Sequence, residues 1–166
     1  MISFPWSRKK SDFPIVRIDD RLLHGQVVVG WASALGLERL ILANDRVATD
    51  KGMCAALKAG AASSDLKIDI LDFDQAVAGF ESGEFAQEKS MVVFESPGDA
   101  LKLVHKGVAF KSIHIGGLHF REGSDELLPY VYLSNWDRMA LDEMLQRGVR
   151  ISCQDLPSTT PVAYHG

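Results

Sequence analysis

The sequence predicts an α/β domain of three layers, in which a mostly parallel sheet of about seven strands carries helices on both faces. Strand-like and helix-like segments alternate along the 166 residues. One strand-like run, residues 91–94, is apolar at every position, as is typical of strands covered on both faces. Two helical segments end alike, with a cation, a glycine and then a strand, at Lys106-Gly107-Val108 and Arg147-Gly148-Val149.

Strands are predicted where residues are apolar throughout or alternate between apolar and polar. They cover residues 14–18, 40–43, 66–71, 91–94, 110–115, 130–133 and 149–152. Helices are predicted where apolar residues recur at helical spacing after a capping residue or before a glycine. They cover residues 26–35, 49–61, 72–80, 100–106 after a cap at Ser96, and 134–147. Residues 118–128 are predicted to form a surface loop.

The chain is predicted to hold one folded domain, residues 13–156, between an N-terminal arm, residues 1–12, and a C-terminal tail, residues 157–166. A net charge of −4 argues against general binding of nucleic acid. Cys54 and Cys153 have no metal-ligand spacing and are expected to be free thiols in a reducing cytoplasm. No apolar run reaches the length of a membrane span.

The most informative stretch is residues 17–26, which places His24 in a strand-to-helix loop beside two arginines and two aspartates. Such a loop opens at the carboxyl end of a strand, where α/β proteins bind ligands. N–H groups at the start of the helix favour an anion there. Because imidazole is a suitable nucleophile near neutral pH, the pattern predicts that His24 accepts a phosphoryl group. A purely structural loop histidine is the alternative.

Residues 17–27 resemble the phosphorylation-site motif of the enzyme IIB components of mannose/fructose/sorbose phosphotransferase systems. The resemblance continues through Asn44-Asp45 and residues 94–97 and 113–117. It implies a cytoplasmic phosphocarrier that accepts a phosphoryl group from a cognate IIA protein on His24 and passes it to a sugar. The sugar would be bound by membrane IIC and IID subunits, through which the domain would associate with the inner face of the membrane. The resemblance further implies a homodimer and no need for a metal or cofactor.

Three neighbours of His24 are candidates for supporting the transfer. Arg21 is expected to hold the phosphoryl oxygens, because a planar guanidinium suits phosphate, and the resemblance also points to it. Asp20 is expected to accept a hydrogen bond from the imidazole and so to fix its tautomer. Gly25 would allow close approach of the backbone.

Two further candidates have alternatives that the sequence leaves open. Ser96 follows the fourth strand, which in a doubly wound sheet often lies beside the first, so its hydroxyl is a candidate donor to the phosphoryl group. It could equally serve only as a helix cap. Arg17 is a candidate phosphate ligand or a local ion-pair partner of Asp19. Asn44 and Gly116-Gly117 also lie at strand ends and are treated as generic turn residues.

Other chemistries lack their motifs. His114 and His119 do not share a helix face, no set of Cys, His and acidic residues completes a metal site, and there is no glycine-rich nucleotide loop. Residues 121–133 and the tail differ from the transporter pattern. They leave open a regulatory phospho-domain, phosphorylated on His24, that signals by protein binding. A plain α/β binding module is the third hypothesis.

Overall fold

A computed structural model describes residues 12–166; residues 1–11, and with them almost all of the predicted N-terminal arm, lie outside the described residues. Nine strands are described. They are β1 (Ile15–Asp19), β2 (Arg39–Ala43), β3 (Lys67–Leu71), β4 (Ser90–Phe94), β5 (Ser112–Gly117), β6 (Ser124–Leu128), β7 (Val131–Ser134), β8 (Arg150–Cys153) and β9 (Val162–Ala163).

Six helices accompany these strands in the described part of the chain. The first, α1, begins as a π-helix (Gln26–Trp31) and continues as an α-helix (Ala32–Leu35). The others are α2 (Asp45–Thr49), α3 (Lys51–Gly60), α4 (Phe73–Glu81), α5 (Pro97–His105) and α6 (Asn135–Gln146). None of the helices in residues 12–166 combines the length and the apolar character that crossing a bilayer requires.

The main sheet has seven strands in the order β3-β2-β4-β1-β5-β8-β9, all parallel except β9, which runs antiparallel to β8. This confirms the predicted fold class. As the sequence indicated, β4 lies directly beside β1, and β5 lies on its other side. The carboxyl ends of β1, β4 and β5 therefore meet at the middle of one sheet edge, where winding reverses and ligand sites form.

Alternating side chains of the strands divide the core into two layers. Leu40 and Leu42 face one side, where they pack with Val27 and Trp31 of α1 and with partly buried residues of α3. Residues of the opposite parity face the other side, where α4, α5 and α6 pack. Ile15 of β1 packs in the same layer as α1, so the N-terminus of α1 lies on the face of the sheet that carries Ile15 and the alternate residues after it.

Most helix ends follow the predicted signals. Ser96 caps α5, with Pro97 at the first helical position, and Ser134 caps α6 in a reciprocal capping box. Gly107 and Gly148, which follow α5 and α6, have φ of +97° and +85°, values that favour glycine.

Two expectations about strands are wrong. Residues 124–128 form β6, which pairs with β7 in a separate antiparallel hairpin, so the predicted strand near residue 130 is not part of the main sheet. The seventh strand of the main sheet is instead β9, within the predicted tail, and the next residue, Tyr164, is buried and donates a hydrogen bond to Asp142 (3.0 Å). The sequence did not reveal β6 or β9, because neither has a period-two apolar pattern: β6 is largely solvent-exposed and β9 has only two residues.

Candidate functional site

His24 lies just before helix α1, in the loop that follows the carboxyl end of β1. Its carbonyl oxygen accepts hydrogen bonds from the N–H groups of Val27 (3.0 Å) and Val28 (2.9 Å), so it closes the first turn of the helix. Its ring Nδ1 lies 3.3 Å from the backbone nitrogen of Gln26, which donates to it. The helix starts in the π form, which is rare and occurs often at functional sites. The predicted position, in a strand-to-helix loop, is confirmed.

The other ring nitrogen of His24 is held by Asp19. Nε2 lies 3.1 Å from Oδ2 of Asp19, whose side chain is fully buried. A carboxylate only accepts, so Nε2 carries the ring hydrogen, and Nδ1, which accepts from Gln26, presents its lone pair. The imidazole is thereby held in one tautomer with one nitrogen free of a hydrogen.

The sequence had pointed to Asp20 for this contact, and that expectation is wrong. Asp20 accepts hydrogen bonds from the ring Nδ1 of His119 (2.7 Å) and from the His119 backbone nitrogen (2.7 Å). Asp19 is the last residue of β1 and reaches His24, whereas Asp20 follows it in a turn and is directed to His119. Asp20 thus belongs to a contact between the His24 loop and the segment that follows β5.

Arg21 lies next to His24 and shares its carboxylate. Its Nε and Nη2 each donate to Asp19 at 2.9 Å, one to each carboxylate oxygen, and its Nη1 donates to Oε1 of Gln26 at 2.8 Å. The Arg21 side chain is 27% exposed. A partly exposed cation therefore shares one carboxylate with the histidine.

Arg17 approaches Asp19 from the opposite, buried side. Its Nη2 lies 3.5 Å from Asp19 Oδ2, and its side chain is 1% exposed. The guanidinium also donates to the carbonyl oxygens of Gln154 and Asp155, both at 3.2 Å, and stacks on the Trp31 ring, 4.5 Å from its centroid. Of the two interpretations that the sequence left open, the structure gives Arg17 the ion pair.

These three partners keep the Asp19 carboxylate ionised. Burial by itself would raise the pKa of Asp19, but hydrogen bonds from His24 and Arg21, together with the nearby charge of Arg17, outweigh it and lower the pKa to about 2. A fully charged carboxylate therefore faces the imidazole throughout the physiological pH range. It can stabilise positive charge that develops on the ring.

Gly116 and Gly117 make room for the two arginines. A Cβ on Gly116 would collide with the Arg17 guanidinium, and one on Gly117 would lie 2.8 Å from Nη2 of Arg21. The pairing of β1 with β5 shifts register here, between Ile18 and Asp19, so that both glycines fall beside the site. The sequence analysis treated Gly116 and Gly117 as generic turn residues, because only the folded structure brings them close to the two arginines.

Gly25 and Ser96 also lie at this edge of the sheet. A Cβ on Gly25 would meet nothing within 4 Å, so the surface beside His24 is open at this residue. The Ser96 hydroxyl oxygen accepts from the Asp99 backbone nitrogen (3.2 Å) as the cap of α5. That bond does not use the hydroxyl hydrogen of Ser96.

Within residues 12–166 no cluster of three or more His, Cys, Asp or Glu side chains has an arrangement that could hold a metal ion. Three contributors to the site were not singled out by sequence reasoning: Gln26 as a donor to the ring, His119 as the partner of Asp20, and Trp31 as the surface under Arg17. Gln26 lies within the motif and could have been found as a first-turn residue. The other two are distant in sequence or appear as ordinary core residues.

Comparison with known proteins finds one family over nearly the whole chain. The family model described as the PTS system sorbose subfamily IIB component matches residues 13–165. The sorbose-specific EIIB component of Klebsiella pneumoniae is 32% identical over 148 residues, which are 89% of this chain and 90% of that protein. The mannose-specific EIIAB component of Escherichia coli (strain K12) is 30% identical over 147 residues, 89% of this chain and 45% of that longer protein. The crystal structure of the IIBSor domain of the sorbose permease from Klebsiella pneumoniae matches with a TM-score of 0.80 at 32% identity, covering 89% of this chain and 90% of that one.

Proposed function

This chain belongs to the sorbose subfamily of IIB components, the phosphotransferases of the sugar phosphotransferase system, and from that premise we propose that His24 is its phosphoryl carrier. His24 accepts the group from a cognate IIA protein and passes it to a sugar bound by membrane IIC and IID subunits. The observation that carries the proposal is the imidazole tautomer, in which Asp19 holds Nε2–H and the Nδ1 lone pair faces the start of α1.

In the proposed reaction Nδ1 attacks the phosphorus of the donor in line with the bond that breaks. One N–P bond forms as the donor's N–P bond breaks, and the donor nitrogen keeps the electron pair. In the second transfer a sugar hydroxyl oxygen attacks the phosphorus, so that an O–P bond forms as the His24 N–P bond breaks, and the hydroxyl proton leaves to solvent. The ring gains positive charge when Nδ1 is phosphorylated, and the ionised Asp19 on Nε2–H stabilises that charge. Both steps transfer a phosphoryl group from one nucleophile to another, which requires no redox cofactor. The positive charge that stabilises the phosphoryl oxygens is supplied by the protein.

Arg21 and the first turn of α1 supply that charge. When Nδ1 is phosphorylated, the N–H of Gln26 is released from the ring and becomes a donor to a phosphoryl oxygen at a helix N-terminus. Arg21 is adjacent to the same ring, and its Nη1 is already directed to the Gln26 side chain. Its bidentate grip on Asp19 orients the guanidinium so that little order is lost on binding phosphate.

The other candidates have lesser parts in this proposal. Gly25, with no side chain, lets a partner protein come close to His24. Ser96 keeps a hydroxyl hydrogen for the phosphoryl group while it caps α5. Arg17 supports the transfer indirectly, since its buried charge helps to keep Asp19 ionised.

We further propose that the protein docks with its partners around α1 and acts at the inner face of the membrane through IIC and IID. Val29, five residues after His24, leaves 67% of its surface exposed and offers apolar area for a transient interface. A homodimer is also expected, and the molar mass in solution tests it by light scattering.

A direct test is to follow the phosphoryl group. The purified protein is incubated with labelled phosphoenolpyruvate, the general phosphotransferase proteins and a cognate IIA protein. We expect acid-labile, base-stable label that disappears in His24→Ala and persists in His165→Ala, a histidine on the exposed surface near the C-terminus. NMR of the labelled protein should place the group on Nδ1.

Two results would contradict parts of the proposal. Label that remains in His24→Ala moves the carrier residue elsewhere. Label on His24 that membranes containing IIC and IID cannot discharge to any sugar would favour the regulatory phospho-domain over the transport component.

A further inference from the structure

The contact between Asp20 and His119 does not touch the His24 ring, but it joins the His24 loop to the segment that follows β5. Both oxygens of the Asp20 carboxylate accept from His119, one from the ring and one from the backbone, each at 2.7 Å. The Asp20 backbone nitrogen also donates to the carbonyl oxygen of Gly117 (3.0 Å). Residues 20 and 117–119 are thus linked by three hydrogen bonds.

The loop that this contact holds is backbone-strained. Leu22 has φ of +61°, the only positive value among the non-glycine residues of the described chain. Such a conformation is rare for a side chain of this size and persists where the surroundings fix it. The Leu22 side chain is buried against the α1 layer, and its nitrogen donates to the Asp19 carbonyl oxygen (3.1 Å). The burial and hydrogen bond of Leu22 and the hydrogen bonds of Asp20 therefore act together on this loop.

We propose that His119 positions His24 by holding Asp20, and so sets the rate of phosphoryl transfer rather than the affinity for the donor. The proposal rests on the function proposed above. Asp19, which orients the imidazole, is joined directly to Asp20, so a shift of Asp20 changes the direction of the Nδ1 lone pair. In-line transfer is sensitive to displacements of this kind, and about 1 Å can cost a hundredfold in rate. His119 is a positioning residue, since the ring contacts Asp20 and not the imidazole.

His119 also suits a test, because its side chain is 67% exposed and its removal leaves the core unchanged. His119→Ala removes the ring donor but keeps the backbone N–H to Asp20. His119→Asn restores a side-chain N–H at about the place of Nδ1. His165→Ala is the matched control, since it removes an exposed histidine far along the chain from the loop.

Single-turnover transfer from phosphorylated IIA protein measures the effect. In His119→Ala we expect the maximal rate to fall about tenfold, the half-saturating donor concentration to stay within about twofold, and the thermal unfolding midpoint to move by less than about 2 °C. His119→Asn should recover most of the rate. An unchanged rate in His119→Ala, an Asn variant as slow as the Ala variant, or a change in half-saturation alone would overturn the proposal.

Amide hydrogen exchange separates this inference from the proposed function. Exchange at Leu22 and Leu23 should accelerate in His119→Ala, return toward wild type in His119→Asn and stay unchanged in His165→Ala. This holds whether or not the wild-type protein accepts a phosphoryl group. Equal protection in all four proteins would refute the loop restraint even if His24 proves to be the carrier. A wild-type protein that takes no label would refute the carrier role and the effect on the transfer rate, but not the loop restraint.

Discussion

Two arginines bind one carboxylate from opposite sides, and their surroundings give them different tasks. Arg17 is 1% exposed, and besides Asp19 its guanidinium contacts two backbone carbonyl oxygens and the face of Trp31. Arg21 is 27% exposed and has Gln26, a surface residue, as its further partner. The comparison teaches that a motif with two arginines need not hold two phosphate ligands: the Arg17 side chain is closed off from solvent, and only Arg21 is exposed enough for the part in phosphoryl transfer that we propose for it.

The buried arginine is costly to place and is compensated by its neighbours. Burial lowers the pKa of Arg17 to about 10, opposed by the charge of Asp19, so the guanidinium is still protonated at neutral pH. The missing side chain of Gly116 provides the space it occupies. The same surroundings close Arg17 off from a phosphoryl group on the surface of the protein.

The largest expected effect separates the two arginines by stability. Arg17→Ala leaves Asp19 with one cation fewer in a buried site and opens a cavity beneath Trp31, so we expect the free energy of unfolding to fall by about 3–5 kcal/mol. Arg21→Ala, at the exposed side of the same carboxylate, should cost about 1 kcal/mol or less. Urea denaturation followed by circular dichroism measures both. Equal losses would show that burial does not distinguish the two residues.

The next effect separates them by rate. Arg21→Ala removes the partly exposed cation that shares Asp19 with His24 and contacts the Gln26 side chain, and we expect the rate of phosphoryl transfer to His24 to fall about 100- to 1,000-fold while the fold is retained. Arg21→Lys keeps the charge but not the planar fork, so its rate should lie between those of Arg21→Ala and the wild type. Rapid-quench measurement of labelled protein gives the rates. Transfer at the wild-type rate in Arg21→Ala would reject the role of this residue.

The sequence predicted the position of His24 in a strand-to-helix loop correctly but expected the wrong aspartate to hold its ring, and the reason lies in the geometry of β1. Arg17 and Asp19 are two residues apart on β1, so they share a face, whereas Asp20 lies past the end of the strand, in a turn. Which face meets His24 depends on where α1 packs, and it packs on the face that carries Ile15. At the same point the pairing of β1 with β5 shifts register, between Ile18 and Asp19, and no local sequence signal reveals that shift.

The two strands that the sequence analysis did not predict, β6 and β9, are held in place by backbone pairing with neighbouring strands and have no apolar pattern that would reveal them. In β6, Asp125 and Glu126 are exposed, so the strand resembles a polar loop although its backbone is bonded to β7. β9 exists because the edge of β8 offers unpaired backbone groups, and Tyr164 anchors the chain beside it. Strands such as β4 were predictable, because a strand that is buried on both faces is apolar at nearly every position.

The smallest expected effect is on the pH dependence of the free energy of unfolding, and it comes from His114, a buried imidazole beside Arg17. His114 lies opposite Arg17 on the neighbouring strand, and its Nδ1 is 2.9 Å from the Ser152 hydroxyl oxygen. Burial, and then the charges of Arg17 and Arg150, lower the pKa of His114 to about 3. The folded protein therefore keeps this imidazole neutral, whereas the unfolded chain protonates it near pH 6.5.

Acid should therefore destabilise the protein through His114 well before the carboxylates titrate. A base with a lowered pKa in the folded state contributes its full stability above pH 6.5 and loses it, by up to about 1.4 kcal/mol per pH unit, down to about pH 3. Asp19, with a pKa of about 2, acts in the same direction but only below about pH 4. Between pH 7 and pH 5 we expect His114 to remove about 2 kcal/mol of the free energy of unfolding. His114→Asn, which keeps a polar partner for Ser152, should lack this part of the pH dependence in urea denaturation. The same slope in both proteins would mean that His114 is protonated inside the fold, beside Arg17, and that the buried side of the site accepts a second positive charge.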